Sequence, residues 1–209
     1  QQSTVVRCQS TYFMKPRILL GMSGGTDSSV AAILLLEQGY DVVGITFRFW
    51  EEGENNHLQD AIRLAAQLGI EHVTYDALDV FRANVVQYFV DEYLAGRTPF
   101  PCVKCNNELK WKLILEEADR LGCEKVAMGH YVNIVEDDGH YFVTEGKDPD
   151  KDQSFFLWGL TQAQLSRIVF PLGQFYKTEV RAMAAKRGYK RVSEKKDSLG
   201  ACFCSGDYR

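Results

Sequence analysis

Gly21-Met22-Ser23-Gly24-Gly25-Thr26-Asp27-Ser28 follows the apolar run Ile18-Leu19-Leu20 and leads into Val30-Ala31-Ala32-Ile33-Leu34-Leu35-Leu36. A buried strand, a polar turn with two adjacent glycines and then a helix is the layout of a phosphate cradle. Gly24 and Gly25 allow backbone conformations closed to other residues and a close approach to an anion. The first amides of the helix and the positive end of its dipole then face that anion. Ser23, Thr26 and Ser28 add hydroxyl donors, and Asp27 is placed to hold a magnesium ion against phosphates. The turn is not a Walker A loop, because it has no Gly-Lys-Ser/Thr ending, and it lacks the Gly-x-Gly-x-x-Gly of dinucleotide folds.

Outward from the turn, strand and helix signals alternate. Residues 17–22 read as the first strand, and the helix after the turn stops at Gly39. Residues 41–49, rich in β-branched and aromatic side chains, read as the second strand, and 71–75 as the third. Between them Leu58, Ala61, Ile62, Ala65 and Leu68 recur at helical spacing, ended by Gly69. Phe81, Val85, Phe89 and Tyr93 form one apolar stripe over 78–94, expected to face the core. After the breaker segment 97–105, Asn106 or Asn107 is expected to cap a helix carrying Leu109, Leu113 and Leu121. Residues 125–132 read as a fourth strand. Asp137-Asp138-Gly139 between two alternating runs signals a hairpin, and Thr161 caps a short helix. Residues 179–186 are amphipathic, with Val180, Met183 and Ala184 inward. The fold class expected is α/β, a doubly wound, mostly parallel sheet with flanking helices and a small hairpin insertion. Its ligand should lie outside the carboxyl ends of the strands, where the glycine turn, residues 47–50 and Gly129-His130 share one rim.

The chain has 209 residues, 45% of them hydrophobic, enough for one substantial core. No apolar run approaches the ~20 residues of a membrane span, so no membrane partner is expected. The formal charge of −4 argues against an overall nucleic-acid-binding field, although six basic residues crowd into 186–196. Residues 1–13 are polar, and Met14-Lys15-Pro16 resembles a natural start. The expected division is a leader or extension over 1–13, a catalytic domain over 14–200 and the start of a following segment over 201–209. Six cysteines without a secretory signal suggest a reducing, cytoplasmic setting.

Cys102 and Cys105 form a Cys-x-x-Cys pair at a helix start, where the dipole lowers a thiol's pKa. Cys202 and Cys204 form Cys-Phe-Cys; in an extended segment they point to opposite faces, so one site can use only one of them. Cys123 reads as a core thiol. Three readings stay open: a structural zinc site, a redox dithiol, or thiols coupled to the phosphate site, one carrying sulfur as a persulfide and the other resolving it.

Ser23-Gly24-Gly25-Thr26-Asp27-Ser28 resembles the signature of the PP-loop ATP pyrophosphatases. Thr98-Pro99-Phe100-Pro101-Cys102-Val103-Lys104-Cys105-Asn106, Gly129-His130-Tyr131, Lys151-Asp152-Gln153-Ser154-Phe155-Phe156-Leu157, Phe170-Pro171-Leu172-Gly173 and Asp197-Ser198-Leu199-Gly200-Ala201-Cys202-Phe203 follow in that order. Together these blocks resemble the tRNA-specific 2-thiouridylase family. The resemblance implies adenylation by ATP, with Mg2+, of the C2 oxygen of a wobble uridine in tRNA, and its replacement by persulfide sulfur from a donor protein (a cysteine desulfurase or relay carrier). It implies Cys105 as nucleophile and Cys202 as persulfide carrier. Gly21, Met22, Ser23, Gly24, Gly25, Thr26, Asp27, Ser28, Phe47 and Gly129 become ATP contacts. Phe100, Pro101 and Cys102 lie beside the target base, and Lys151, Asp152 and Gln153 contact tRNA. Phe100 replaces a frequent asparagine, which points to stacking, and Cys102 stands where some members have aspartate. Cys102, Cys105 and Cys202 could alternatively hold an iron–sulfur cluster. Other PP-loop enzymes acting on tRNA, such as lysidine synthetases, share the turn. Family members continue into further domains, including a C-terminal β-barrel.

Overall fold

The computed structural model describes residues 15–50, 57–189 and 201–204. Five parallel strands form one sheet in the order β3-β2-β1-β4-β7: β1 (Arg17–Gly21), β2 (Asp41–Arg48), β3 (Glu71–Asp76), β4 (Lys125–Ala127) and β7 (Ile168–Val169). The register sets Leu19 between Val43 and Val126. Chain order runs outward from β1 through β2 to β3, then returns to β4 on the other side of β1. The turn after β1 therefore lies at the switch point, where the flanking connections diverge and leave a crevice.

Alternation along β1 divides the core in two. Ile18 and Leu20 pack with α1 (Thr26–Glu37), α2 (His57–Leu68) and α8 (Lys177–Lys186), burying Val30, Leu35, Leu64, Val180 and Ala184. Leu19 faces the opposite side, with Val43, Ile45 and Trp111, Ile114 and Ala118 of α6 (Trp111–Leu121). The hairpin of β5 (Val132–Asp137) and β6 (His140–Glu145) stands apart from the main sheet. Its turn residues, Asp138 at φ 47° and Gly139 at φ 74°, are both left-handed, as a two-residue hairpin turn requires. Thr161 caps α7 (Gln162–Leu165) in a reciprocal capping box with Gln164.

Four expectations are corrected. The fourth strand ends at Ala127; Val132 begins the hairpin instead. Residues Ile168–Val169 add a fifth strand too short to carry a periodic signal. The stretch from 78 to 94 is α3 (Leu78–Phe81), a π-helical turn (Arg82–Val86) and α4 (Gln87–Leu94). The wide turn breaks the stripe: Phe81 and Val85 are buried, but Tyr93 is exposed. Finally, the cysteine helix starts at Pro101, not after Asn106 or Asn107. It runs as α5 (Pro101–Lys104), a second π turn (Cys105–Lys110) and α6, with proline in the first turn where its missing N–H costs nothing. Asn106 and Asn107 donate back to the carbonyls of Cys102 and Val103, each at 2.9 Å.

Candidate active site

In the turn after β1, Gly24 takes φ 67°, and a Cβ there would sit 2.3 Å from the His57 carbonyl oxygen. Both conformation and space demand glycine. Gly25 is the N-cap of α1 and offers no side chain to cap it, so the first turn of this twelve-residue helix opens onto the crevice. Ser28 Oγ lies 3.2 Å from the Ser23 amide, which donates to it, and 3.3 Å from Ser23 Oγ, so the hydroxyls are held in place before any anion arrives. Gly129 follows β4, and a Cβ on it would come within 2.9 Å of the Ser28 nitrogen. The second strand closes the other flank: Met22 N donates to Ile45 O, and Thr46 Oγ1 to Met22 O, both at 2.7 Å. Beyond them Phe47 stacks on Phe49 at 5.7 Å. Turn, Phe47 and Gly129 thus share one rim.

Asp27 forms an ion pair beside the turn. Lys177 Nζ donates to both of its carboxylate oxygens at 2.7 Å, and Tyr131 OH donates to Oδ1 at 2.7 Å. Both Asp27 oxygens are hydrogen-bonded within the protein, and the side chain stays about a third exposed. Lys177 is buried, and its backbone N–H donates to the buried Asp148 at 2.8 Å. The sequence assigned no role to Lys177, to Asp148 or to the Tyr131 hydroxyl. The available signal was Lys177 at the start of an amphipathic helix four residues after Gly173, but its partner lies 150 positions away.

The cysteine helix supplies the second part. Cys105 is buried, Cys102 half-buried and Cys202 solvent-accessible. Burial pushes the Cys105 thiol up, opposed by the Lys110 ammonium and reinforced by Cys102. The expected dipole-lowered thiol at Cys105 is therefore overturned, since desolvation outweighs the helix end. Cys202 touches solvent, yet desolvation by the atoms around it pushes it up to about 11, with Lys110 opposing and Cys105 and Cys102 reinforcing. Cys102, Cys105 and Cys202 thus act on one another electrostatically, and Phe203, next to Cys202, packs against the apolar cluster that contains Cys105. Residues 201–204 form a tight turn, with Cys204 N donating to Ala201 O at 3.0 Å, so the extended geometry expected of Cys202 and Cys204 is not adopted. Phe203 anchors this turn against Phe81 and Phe89 at 5.7 and 5.3 Å. Among the described residues, no three His, Cys, Asp or Glu side chains are gathered to hold a metal ion, so neither the zinc nor the cluster ligand set forms.

His130 joins the two parts. It follows Gly129, is buried against Trp111 at 5.6 Å, and desolvation first, then Lys110, hold it down to about 3, so it is neutral. Its Nδ1, Trp111 Nε1 and Asn106 Oδ1 are buried and have no hydrogen-bond partner among the described residues.

Of the residues expected beside RNA, Phe100 is exposed, its ring 5.6 Å from that of the exposed Phe155, and Pro101 is buried under the helix start. Asp152 accepts from Gly146 N at 2.8 Å and Ser154 Oγ at 2.6 Å, while Gln153 Oε1 accepts from Tyr131 N at 3.1 Å. These two side chains pin the segment to the rim; Lys151 N donates to Asp148 O at 3.1 Å in the same turn. Of the basic run, Lys186 and Arg187 lie at the end of α8, and its remainder falls outside the described residues.

A five-stranded parallel sheet with a glycine turn at its switch point defines a doubly wound α/β domain with a phosphate-type turn. A family model described as tRNA methyl transferase HUP domain matches residues 16–206. The chain belongs to that family. It is 57% identical over 194 residues to a protein of Bacteroides fragilis named tRNA-specific 2-thiouridylase MnmA 1, covering 92% of this chain and 53% of that protein. The chain therefore spans about half the length of the curated relatives it matches. Among solved structures, a 4-thiouridine synthetase–RNA complex with bound ATP aligns with TM-score 0.59 and 20% identity, over 87% of this chain and 43% of that one. An NMN synthetase from Francisella tularensis aligns with TM-score 0.55 and 19% identity, over 87% and 66%. These two likenesses establish the fold. Among the described residues, no helix is long and apolar enough to cross a membrane.

Proposed function

We propose that the chain carries the catalytic domain of an ATP-dependent tRNA sulfurtransferase that makes 2-thiouridine. One observation carries the reading: the turn 201–204 that bears Cys202 packs through Phe203 against the cluster containing Cys105, almost a hundred positions earlier, and His130, which follows Gly129 beside the glycine turn, packs on Trp111 of the same helical stretch. The names of the relatives supply the substrate class.

The uridine C2 oxygen attacks the α-phosphorus of ATP and pyrophosphate leaves. The α1 amides and the hydroxyls of Ser23 and Ser28 face the departing charge. Lys177 neutralises the Asp27 carboxylate and holds it in place beside the turn. The terminal sulfur of a persulfide on Cys202 attacks C2, and AMP leaves with the C–O electron pair. The Cys105 thiolate then attacks the Cys202 sulfur; the Cys105–Cys202 disulfide forms and the sulfur stays on the base as 2-thiouridine. A thiol reductant restores both cysteines, and a sulfur-donor protein reloads Cys202. Phe100 and Phe155 offer an exposed aromatic pair on which an unstacked base can lie.

The test is incubation of the full-length protein with ATP, a persulfide donor and unmodified tRNA. AMP, pyrophosphate and 2-thiouridine are expected in equal amounts. A lysyl or amide adduct would keep the adenylation chemistry and overturn the sulfur transfer.

A further inference from the structure

Lys110 has no part in the chemistry above, yet its position is unusual. It is half-buried, and its ammonium makes no hydrogen bond or ion pair with any of the described residues. Lys104 and Lys112, its neighbours on the same helical stretch, both pair with glutamates, Glu108 and Glu116. An unpaired ammonium that gives up part of its hydration needs an anion to compensate.

The backbone explains which anion. Residues Cys105–Lys110 form a π turn, not an α turn. On an α-helix, residues five apart point to different sides. The wider i→i+5 turn brings residues five apart nearer to one side, and Lys110 is within electrostatic reach of Cys105. Lys110 acts electrostatically on Cys105, on Cys202 in the turn 201–204, and on His130 after β4. Of these, His130 is buried and neutral. Cys102 is the other titratable group that acts on both thiols, and its thiolate form opposes theirs. Lys110 is the one cation acting on them among the described residues.

We propose that Lys110 is a positioning residue for sulfur chemistry: the π turn keeps its ammonium within electrostatic reach of Cys105 and Cys202 so that sulfur at either can carry negative charge in a desolvated site. The assignment rests on the proposed sulfur transfer for its purpose, but the effect on the thiols stands without ATP or RNA. Desolvation alone would leave both thiols protonated and inert at neutral pH. A fixed cation offsets that burial only when a thiolate or persulfide anion forms, which is when it is needed.

The experiment is alkylation of the full-length protein by iodoacetamide from pH 7 to 10, read cysteine by cysteine by mass spectrometry, with no nucleotide present. In Lys110→Met, alkylation of Cys105 and Cys202 at pH 8 is expected to fall about three- to tenfold, with the pH profile displaced upward by about half to one unit. Lys110→Arg should restore it to within about twofold, since it keeps the charge. Cys123, buried and influenced instead by Arg17, Asp41, Glu71 and Arg167, is the internal control. If Lys110 merely supported the helix, its loss would loosen the site, and Cys105 and Cys123 would be alkylated faster. Unchanged or faster alkylation of Cys105 and Cys202 overturns the proposal. Should Lys110→Met melt well below the wild type, Lys110→Gln is measured in its place with the same criterion. Because the measurement precedes any tRNA chemistry, a protein that keeps the Lys110 effect but makes no 2-thiouridine refutes the proposed function alone.

Discussion

The glycine turn and the cysteine helix are joined through Gly129 and His130 but are built differently. At the turn, Gly24 is dictated locally, by its left-handed backbone and by a carbonyl 2.3 Å from where a Cβ would lie. Its chemistry is the generic chemistry of helix amides and hydroxyls. At the cysteine helix nothing local makes a site. Cys105 is a buried thiol pushed away from reactivity, and it gains company only because a π turn, the start of α6, the end of β4 and the turn 201–204 converge. A local motif tolerates distance from the rest of the chain; a converged one depends on every element that meets there.

The sharpest way to separate the two regions is Cys105→Ser or Cys202→Ser. Either change should lower 2-thiouridine formation by about three orders of magnitude or more while ATP affinity stays within about twofold. Cys204→Ser should remain near wild type. Equal losses at Cys202 and Cys204, in nucleoside mass spectrometry, would end the assignment of Cys202.

The turn is probed by Gly24→Ala, which meets both a left-handed backbone, worth about 1–2 kcal/mol, and the His57 carbonyl. ATP affinity by calorimetry should drop at least about tenfold. Gly39→Ala, at φ 90° with no neighbour within 4 Å, carries the backbone strain alone and should leave affinity untouched. Similar behaviour of the two variants would deny the close approach at Gly24 any role in binding.

Lys177→Met tests whether the turn is as self-contained as its sequence suggests. Removing the buried ammonium leaves Asp27 with Tyr131 alone, at an expected cost of about 1–3 kcal/mol in denaturant unfolding. Asp27→Asn combined with Lys177→Met should recover part of it, and strict additivity would mean that the pair is not coupled.

The smallest effect is expected at the junction. His130 is held neutral down to about pH 3, whereas an unfolded histidine takes up a proton near pH 6.5. The unfolded chain therefore binds more protons between those values, and stability falls as pH drops from 6.5 toward 3. His130→Gln should flatten that slope by up to one proton per molecule in urea melts across this range, and an unchanged slope would place the acid sensitivity elsewhere.

Hairpin, capping box and the strand–turn–helix unit were legible because each is a contract between residues a few positions apart. Asp138 and Gly139 make the hairpin turn, and Thr161 with Gln164 makes the cap, with no help from the remainder of the chain. The helix start at Pro101 was missed because the asparagines five and six residues later look like caps; in the folded chain their amides bond back into the helix. The two π turns were also missed, since no periodicity announces an inserted residue, and with them went the exposure of Tyr93 and the reach of Lys110 toward Cys105.

Residue order alone determined the parallel α/β sheet, the glycine turn and the family to which the chain belongs, because backbone conformation and hydrophobic alternation act over short range. The tertiary structure decided what the polar groups do. It gave Asp27 to Lys177, drew Asp152 and Gln153 into the protein, silenced His130 and brought Cys202 to Cys105. Charge, desolvation and hydrogen bonding act through space between residues that only folding makes neighbours.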